Sequence, residues 1–567
     1  MSVRSLSGSR DAKFLFVGEA PGKEEEKAGV PFVGSSGQEL TRELEEAGWQ
    51  RDQFRFANVI NTRPADNKIS EFMPETVKEA KAKGATQFRG RWVMPPVIEG
   101  FNSLVETIKE MPNLEMIIGA GNTPLWALLN QSGITNWRGS QTYTEISGRK
   151  IPFMPVIHPA AILRNWADRM PTLEDFRRAR SWATQGFVEP SYRFIVRPSF
   201  RDSCDWINSR LSYLDRDPSF ELLCAVDIET RLGHIACVGL ADSPLDAICI
   251  PFMEVGGSYF PVDEEIHVQT LLRKLLTHPR FRLVGQNWLY DRQYFAKHLG
   301  YNLRPFADTM VMQHVCFPGT PKGLAYICSL YNHFYCFWKE ESKDWAPHLG
   351  EEQLWIYNCK DAAGTFEAKG HIDKFVDAFS LKNQLASTME DCEWAFEMML
   401  RGVPVDFAFK STLADKGSDV EGKDNKPVDK GLIAIQMREH QEFIRKIIGV
   451  PRFSIASPKQ VHWLCYEILK LPPIRKKGAK NLTADKDAVA EWLRSCEPLY
   501  RPILQSIVDY RSLQVFRGTF ALASVDPDGR FRCSINVAGP STFRLSTSED
   551  AFGFGTNMQN LPKGDED

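Results

Sequence analysis

The sequence predicts a multidomain α/β protein whose last third is mostly helical. The chain has 567 residues, which corresponds to three to five domains at roughly 100–200 residues per domain. Strand-like apolar runs alternate with helical stretches in the first two thirds of the chain, a pattern typical of sheets covered by helices. Beyond about residue 376 the apolar residues recur at helical spacing instead.

Composition and charge exclude several classes of protein. Hydrophobic residues make up 43% and charged residues 25% of the chain, which rules out wholesale disorder. The formal net charge of −3 excludes a uniformly basic nucleic-acid coat but permits local basic grooves. The N-terminal stretch lacks the apolar core of a signal peptide, and no run of about 18 apolar residues occurs. We therefore expect a cytoplasmic protein without membrane contact.

The first segment alternates strands and helices. Strand-like runs occur at 14–18, before 60, at 115–121 and at 151–157, and a helix is expected at about 36–47. Such alternation predicts a mostly parallel sheet with helices on both faces. Ligands bind at the carboxyl ends of the strands in such sheets, and the turn sequences EAPG, NTRP, GNTP and HPAA fall there.

Three side chains near those strand ends have the chemistry needed to hold an extruded nucleobase. Phe32 lies beside a glycine turn, Asn58 ends a strand, and His158 follows another strand. A flipped base needs an aromatic ring for stacking, an amide for its Watson–Crick edge and a donor for developing negative charge. Taken singly, residues of these types at such positions are more often structural than functional.

The second segment begins near 190 and contains two acidic residues on one apolar strand. Asp227 and Glu229 lie two positions apart within ELLCAVDIET, so their side chains share one face of the strand. Two buried like charges are costly unless cations neutralise them.

Two further pairs in this segment have i, i+4 spacing, which predicts that each pair shares a helix face. They are Asn287 with Asp291, and Tyr357 with Asp361. Four carboxylates from three segments would suit two divalent ions with oxygen ligands. Two such ions can activate water and stabilise the leaving oxygen in phosphodiester hydrolysis.

The third part ends in a polar stretch, PSTFRLSTSEDAFGFGTNMQNLP. Its donor side chains include Arg544, Asn557, Gln559 and Asn560, and on composition alone the stretch is a bland polar loop. These side chains can donate to the minor-groove acceptors that all base pairs share, which suits a protein that grips any correctly paired duplex.

The acidic set of the second segment resembles the DEDD exonucleases. GQNWLYDRQYF is similar to the proofreading domain of bacterial DNA polymerase I, and the resemblance spans about 195–375. It implies a ribonuclease-H-like fold and 3′→5′ removal of nucleotides from a single-stranded end. Asp227, Glu229, Asp291 and Asp361 would be the ligands of two Mg²⁺ or Mn²⁺ ions. Tyr357 would orient the attacking water, as in the DEDDy subgroup, and Asn287 would contact DNA.

The first segment resembles the uracil-DNA glycosylase superfamily, especially its family-four members. GEAPG, GVPFVGSSG, NVINTRPADN, ITNWRG and HPAAILRN occur in the family's order across about 10–185. The resemblance implies an α/β/α sandwich in which Glu19, Phe32 and Asn58 line a uracil pocket and His158 stabilises the departing uracil. Family-four enzymes bind an iron–sulfur cluster through four cysteines. The first cysteine of this chain is Cys204, so we expect no such cluster.

The third part resembles family A DNA polymerases from about 385 to 567. An RLS turn followed by NMQNLP matches the segment that contacts primer–template duplex near the primer end, with Phe543 where the family usually has glycine. MMLRGVPVD and SPKQVHWLCYEILKLP are similar to the family's thumb. Palm and fingers motifs do not follow in this sequence, so we expect no nucleotide addition by this chain alone. Three explanations stay open: the first piece of a split polymerase whose fingers and palm come from a second polypeptide, an exon product, and a truncated reading frame.

Together these resemblances predict the N-terminal portion of a phage-type replicative polymerase, located in the host cytoplasm if phage-encoded. The expected domains are glycosylase-like (1–190), exonuclease (191–378), and thumb with the start of the palm (379–567). Two other interpretations stay open. One is a stand-alone 3′→5′ exonuclease acting on DNA or RNA, and the other is a DNA-binding scaffold with an inactive glycosylase fold.

Overall fold

A computed structural model describes residues 6–186, 189–338, 350–414, 431–476 and 481–560. The chain divides into two compact units, Met1–Met389 and Glu390–Asp567. The first unit contains two sheets, each with its own helices. Among the described residues, no helix is long and apolar enough to cross a membrane.

The first sheet has five strands in the order β2-β1-β5-β7-β6, and all neighbours are parallel except β6 and β7. A separate hairpin is formed by β3 and β4. The strands of this domain are β1 (Phe14–Gly18), β2 (Phe54–Asn58), β3 (Thr86–Phe88), β4 (Arg91–Val93), β5 (Met116–Ala120), β6 (Thr142–Ile146) and β7 (Arg149–Val156).

Helices cover both faces of this sheet because its interior strand β1 is apolar on both sides. Leu15 and Val17 of β1 pack into one core with α4 and α5, whereas Phe14 and Phe16 pack into another with α2 and α8. The helices are α1 (Lys23–Ala28), α2 (Ser35–Glu46), α3 (Val77–Lys83), α4 (Pro95–Lys109), α5 (Asn122–Leu129), α6 (Ile134–Trp137), α7 (Pro159–Ile162) and α8 (Arg169–Gln185). The predicted parallel sheet between two helical layers is confirmed.

The second sheet has six strands in the order β15-β14-β9-β10-β11-β8. Strands β9, β10 and β11 are antiparallel, and the other neighbours are parallel. The strands of this domain are β8 (Arg193–Ile195), β9 (Leu222–Arg231), β10 (His234–Ala241), β11 (Asp246–Pro251), β12 (Met253–Glu254), β13 (Gly257–Ser258), β14 (Phe281–Gly285) and β15 (Ala307–Asp308).

One long helix, α14, lies across β9, β10 and β11. Its Trp355, Cys359 and Ala362 pack against Ala225 and Cys237 of the sheet. This packing brings the middle of α14 over the strand that bears Asp227. The helices are α9 (Phe200–Arg216), α10 (Val262–Leu276), α11 (Trp288–Tyr294), α12 (Thr309–Cys316), α13 (Leu324–Tyr331) and α14 (Glu352–Ala378).

The second unit is mainly helical, as the sequence predicts. Its core contains Ile444, Val461, Trp492 and Leu504. The remaining helices are α15 (Lys382–Arg401, which includes the point of division), α16 (Phe407–Leu413), α17 (Leu432–Ile448), α18 (Pro458–Trp463), α19 (Lys486–Ser495) and α20 (Arg501–Phe516). The short strands are β16 (Val403–Pro404), β17 (Arg530–Phe531), β18 (Ser534–Asn536) and β19 (Ser546–Ser548). Arg517–Ala521 continues α20 as a π-helical turn.

One acidic side chain of the first domain is buried among the described residues without a hydrogen-bond donor. Glu43 on α2 is 0% exposed, and no described residue donates to either of its carboxylate oxygens. Burial, assisted by the neighbouring Glu39, raises the pKa of Glu43 from 4.5 to about 8. Glu43 is therefore protonated at neutral pH in the folded chain.

Replacement of Glu43 by Gln should make stability less dependent on pH. Between pH 4.5 and about 8 the folded chain binds a proton that the unfolded chain releases, so the free energy of unfolding falls as pH rises. We expect Glu43→Gln to stabilise the first domain at pH 8 by about 2 kcal/mol, and much less at pH 5. Calorimetric unfolding at both pH values measures the difference. The exposed Glu45→Gln on the same helix is the control, and an equal effect of Glu43→Gln at both pH values would contradict the expectation.

Candidate functional site

Three carboxylates of the second domain converge on one point. Asp227 and Glu229 project from the same face of β9, and Asp361 comes from α14. Carboxylate oxygens of the three residues all lie within 4.8 Å of one another. The i, i+2 spacing on the strand and the packing of α14 across it together produce this cluster.

The cluster fits a divalent cation. Two carboxylates 4.8 Å apart repel each other by about 3 kcal/mol at an effective dielectric constant of about 20. Hard cations such as Mg²⁺ and Mn²⁺ prefer carboxylate oxygens, and their charge removes this repulsion. Asp227, Glu229 and Asp361 can therefore hold such an ion.

Asp291, the fourth predicted ligand, lies beside the cluster. It is 6% exposed, and its Oδ1 accepts a hydrogen bond from the backbone N–H of Ile228 at 3.1 Å. Ile228 stands between Asp227 and Glu229 on β9. Burial raises the pKa of Asp291 well above its usual range, and Glu229 adds to the rise.

The prediction that Asn287 shares a helix face with Asp291 is wrong. Asn287 has φ 57° and ψ 42°, in the left-handed region, and α11 begins only at Trp288. The backbone N–H groups of Asn287 and Trp288 donate to the buried carboxylate of Asp308 at 3.0 and 2.7 Å. Asp308, which sequence reasoning missed, thus fixes the start of α11 and leaves the Asn287 side chain exposed.

Asn358 is a second residue that sequence reasoning missed. Its Nδ2 donates to Asp227 Oδ2 at 2.8 Å, and the side chain is 0% exposed. Gly239 on β10 makes room for it, because a Cβ there would lie 2.5 Å from Asn358 Oδ1. Asn358 directly follows Tyr357, so its position in the YxxxD motif was a usable signal.

Tyr357 is 7% exposed and packs in an apolar cluster with Tyr335, Phe337 and Trp338. The indole Nε1 of Trp338 donates to Asp361 Oδ1 at 2.7 Å. No sequence pattern pointed to Trp338.

The predicted residues of the first domain meet at one cavity. Its volume is about 660 Å³, and Glu19, Phe32, Asn58 and His158 all line it. It opens where β1, β2, β5 and β7 end, at the carboxyl edge of the parallel strands.

Asn58 has a buried polar atom without a partner in the described part of the chain. The residue is 3% exposed, and among the described residues its buried Nδ2 finds no hydrogen-bond acceptor. Gly18 lets the backbone of β1 approach closely, because a Cβ there would lie 2.5 Å from both Asn58 Oδ1 and Phe32 Cζ. An unpaired buried donor costs free energy unless a ligand accepts from it.

Phe32 is held in an unusual backbone conformation, with φ 57°. Its N–H donates to Glu25 Oε1 at 2.9 Å, and its carbonyl accepts from Arg51 Nη2 at 2.9 Å. Sequence reasoning missed both Glu25 and Arg51. A non-glycine residue at positive φ persists only where its surroundings fix it.

His158 is neutral at physiological pH. Its Nδ1 accepts a hydrogen bond from the N–H of Ala160 at 3.1 Å, so the proton of the neutral ring is on Nε2. Burial, with a smaller contribution from Arg164, lowers the pKa of His158 from 6.5 to about 4. The ring lies 6.1 Å from that of Phe32. Glu19 Oε2, on another side of the cavity, accepts from Thr123 Oγ1 at 2.5 Å.

The polar residues near the C-terminal end form one small hydrogen-bonded group. Asn557 Oδ1 accepts from Thr547 Oγ1 at 2.6 Å, and Gln559 Nε2 donates to the carbonyl of Leu545 at 2.9 Å. These bonds bring Asn557 and Gln559 to the turn that follows Arg544. Arg544 and Asn560 are exposed.

Substitution of Gly239 by Ala should weaken metal binding without a metal ligand being changed. The added Cβ would displace Asn358 and break its hydrogen bond to Asp227. Loss of such an outer contact typically lowers metal affinity by about ten-fold or more. A Mn²⁺ titration followed by electron paramagnetic resonance measures the affinity. Gly370→Ala on α14, where a Cβ meets nothing within 4 Å, is the control. Wild-type affinity in folded Gly239→Ala would contradict the expectation.

Two family models match parts of the chain. Residues 7–183 match the uracil DNA glycosylase superfamily, and residues 223–377 match a family described as 3′-5′ exonuclease.

Individual relatives match the same parts. The chain is 31% identical over 179 residues to the type-4 uracil-DNA glycosylase of Thermotoga maritima. The aligned region covers 31% of this chain and 80% of that protein. It is 24% identical over 312 residues to DNA polymerase I of Synechocystis sp. The aligned region covers 52% of this chain and 28% of that polymerase. The DNA-bound POL domain of Pol1 from M. smegmatis aligns with a TM-score of 0.47 and 18% identity, over 66% of this chain and 56% of that one.

The predicted fold class is confirmed: a glycosylase-like domain and an exonuclease domain, together with a largely helical remainder. Through residues 7–183 the chain belongs to the uracil DNA glycosylase superfamily, and residues 223–377 add an exonuclease domain of the DNA polymerase I type.

Proposed function

We propose that residues 191–378 form a metal-dependent 3′→5′ exonuclease of the DEDDy kind, which acts on the single-stranded 3′ end of DNA. The observation that carries this proposal is the convergence of Asp227, Glu229 and Asp361 within 4.8 Å. A cluster of like-charged carboxylates is typical of a functional site rather than of a stabilising one.

Each residue of the site has a distinct proposed task. Asp227, Glu229 and Asp361 hold Mg²⁺ or Mn²⁺, with Asp291 completing the acidic set of a two-ion site. When bound, such ions activate water and stabilise the leaving oxygen in phosphodiester hydrolysis. Tyr357 orients the attacking water. Because the side chain of Asn287 is exposed at the start of α11, it is available to contact the DNA strand.

The exonuclease serves as a proofreading domain within a family A polymerase of phage type. The similarity to DNA polymerase I extends over 312 residues, more than the exonuclease match alone occupies. We assign 379–567 to the thumb and the start of the palm. Arg544, Asn557, Gln559 and Asn560 then contact primer–template duplex through minor-groove acceptors.

The first domain, residues 1–190, has a second proposed function: recognition of uracil extruded from DNA. The unpaired Nδ2 of Asn58 supports it, because a pyrimidine carbonyl can accept from this group. Phe32 stacks on the base, Glu19 contributes to the pocket wall, and neutral His158 donates from Nε2 to charge that develops on the departing base.

An iron–sulfur cluster does not fit this domain. Such clusters are held by cysteine thiolates, and the first cysteine of the chain is Cys204. Thr62 stands where family-four enzymes commonly have a cysteine. The proposed base recognition therefore uses no cluster.

Replacement of both Asp227 and Glu229 by Ala should abolish the nuclease. We expect Mg²⁺-dependent digestion of single-stranded DNA to fall at least about a hundred-fold, because metal-ion stabilisation contributes several kcal/mol. Gel analysis of end-labelled DNA and RNA measures digestion, and the exposed Asp263→Ala is the control. Undiminished digestion by the double variant would contradict the site. Digestion of RNA but not DNA would favour the exoribonuclease alternative.

Uracil excision is tested with single- and double-stranded DNA that contains uracil. We expect abasic product that is lost in His158→Ala and retained in His267→Ala, an exposed histidine of the exonuclease domain. Because the pKa of His158 is about 4, the rate should stay constant from pH 8 to about pH 5. A rate that halves near pH 6.5 would contradict the neutral donor.

Two other outcomes would favour the alternative interpretations. If the protein forms no abasic product but binds DNA in a uracil-dependent way, and this binding is lost in Asn58→Ala, base sensing is favoured. Neither product nor such binding would favour the inactive scaffold.

A further inference from the structure

The glycosylase-like domain is anchored to the exonuclease domain by two arginines. Arg138 Nη1 donates to Ser329 Oγ at 2.7 Å. Arg178 donates to the backbone carbonyls of Ser329 and Asn332 at 2.6 and 3.1 Å. These groups lie at the C-terminal end of α13, where a helix attracts cations.

Arg138 is the buried arginine of the two, and the carboxylate of Asp175 compensates its charge. Arg138 is 2% exposed and Asp175 0%, and the two form a bidentate ion pair within the first domain. Removal of one partner from a buried pair is strongly destabilising. A contact of this type fixes one geometry between the two domains.

The chain that follows α13 is also held by the first domain. Gln141 N donates to Tyr335 O at 2.6 Å, and Gln141 Oε1 accepts from Tyr335 N at 3.2 Å. Two residues further on, the N–H of Phe337 donates to Ser140 Oγ at 3.0 Å. Ser140 is 0% exposed, so this hydrogen bond is shielded from bulk water.

The next residue of the same segment contacts the acidic cluster. Trp338 Nε1 donates to Asp361 Oδ1 at 2.7 Å, and Trp338 and Asp361 are 8% and 4% exposed. A carboxylate in a cluster of like charges has several orientations of similar energy, and a buried donor selects one of them. In the same way, the buried donor Asn358 selects one orientation of the Asp227 carboxylate.

We propose that Trp338 is a positioning residue for Asp361, and that Ser140 and Gln141 of the glycosylase-like domain hold Trp338 in place. The first domain is thus a structural part of the exonuclease metal site. This inference rests on the proposed metal-binding role of Asp361. It predicts that changes in the first domain, outside its base-binding cavity, alter metal binding in the second.

Trp338→Phe separates hydrogen bonding from packing, because the variant keeps an aromatic ring and loses only the N–H and part of the ring system. The full chain is titrated with Mn²⁺ alone, and binding is followed by electron paramagnetic resonance. We expect the dissociation constant to rise about ten-fold, whereas a purely structural Trp338 would leave the affinity of the folded protein unchanged. Asp361→Asn serves as the reference, because it shows how far the Mn²⁺ dissociation constant rises when a proposed ligand is itself removed.

Ser140→Ala and the milder Gln141→Ala test the contribution of the first domain. We expect each to raise the Mn²⁺ dissociation constant in the same direction as Trp338→Phe. Ser132→Ala, an exposed serine in the same domain, should have no effect. Wild-type affinity in Trp338→Phe, or in both first-domain variants, would overturn the proposal, as would a wild-type chain that binds no Mn²⁺. A chain that binds Mn²⁺ with the expected variant effects but digests no DNA would contradict the exonuclease function alone.

Discussion

The mutual repulsion of Asp227, Glu229 and Asp361 is the constraint around which the second domain is organised. Carboxylate oxygens within 4.8 Å of one another are stable only if hydrogen-bond donors orient them and a cation balances their charge. The protein supplies the donors from several directions: Asn358 to Asp227, and Trp338 to Asp361. A bound divalent cation would add positive charge to this cluster.

The first domain shows the complementary arrangement, a pocket with an unused donor instead of excess negative charge. Gly18 permits the close approach of Phe32 and Asn58 to β1, and Asn58 Nδ2 has no partner among the described residues. Desolvation lowers the pKa of the part-buried His158, so its ring stays neutral, and its Nδ1 accepts from a backbone N–H, which leaves the proton on Nε2. Both sites lie at the ends or faces of rigid strands, where side-chain geometry is precise.

Local patterns in the sequence predicted the elements of both sites, since strand alternation alone places Asp227 and Glu229 on one face. The prediction that Asn287 shares a helix face with Asp291 failed. The i, i+4 spacing places two side chains on one face only inside a helix, and Asn287 adopts a positive φ ahead of α11. The contact of Ser140 with Phe337 joins residues 197 positions apart. Such pairs leave no periodic signal, so the link between the domains was not predictable from the chain.

The most direct measurement of the central claim is anomalous diffraction from crystals of the full chain soaked in Mn²⁺. The account predicts a strong anomalous peak in contact with Asp227, Glu229 and Asp361, and its loss in crystals of Asp361→Asn. A fully ordered cluster without such a peak at saturating Mn²⁺, or a peak that persists in Asp361→Asn, would contradict it.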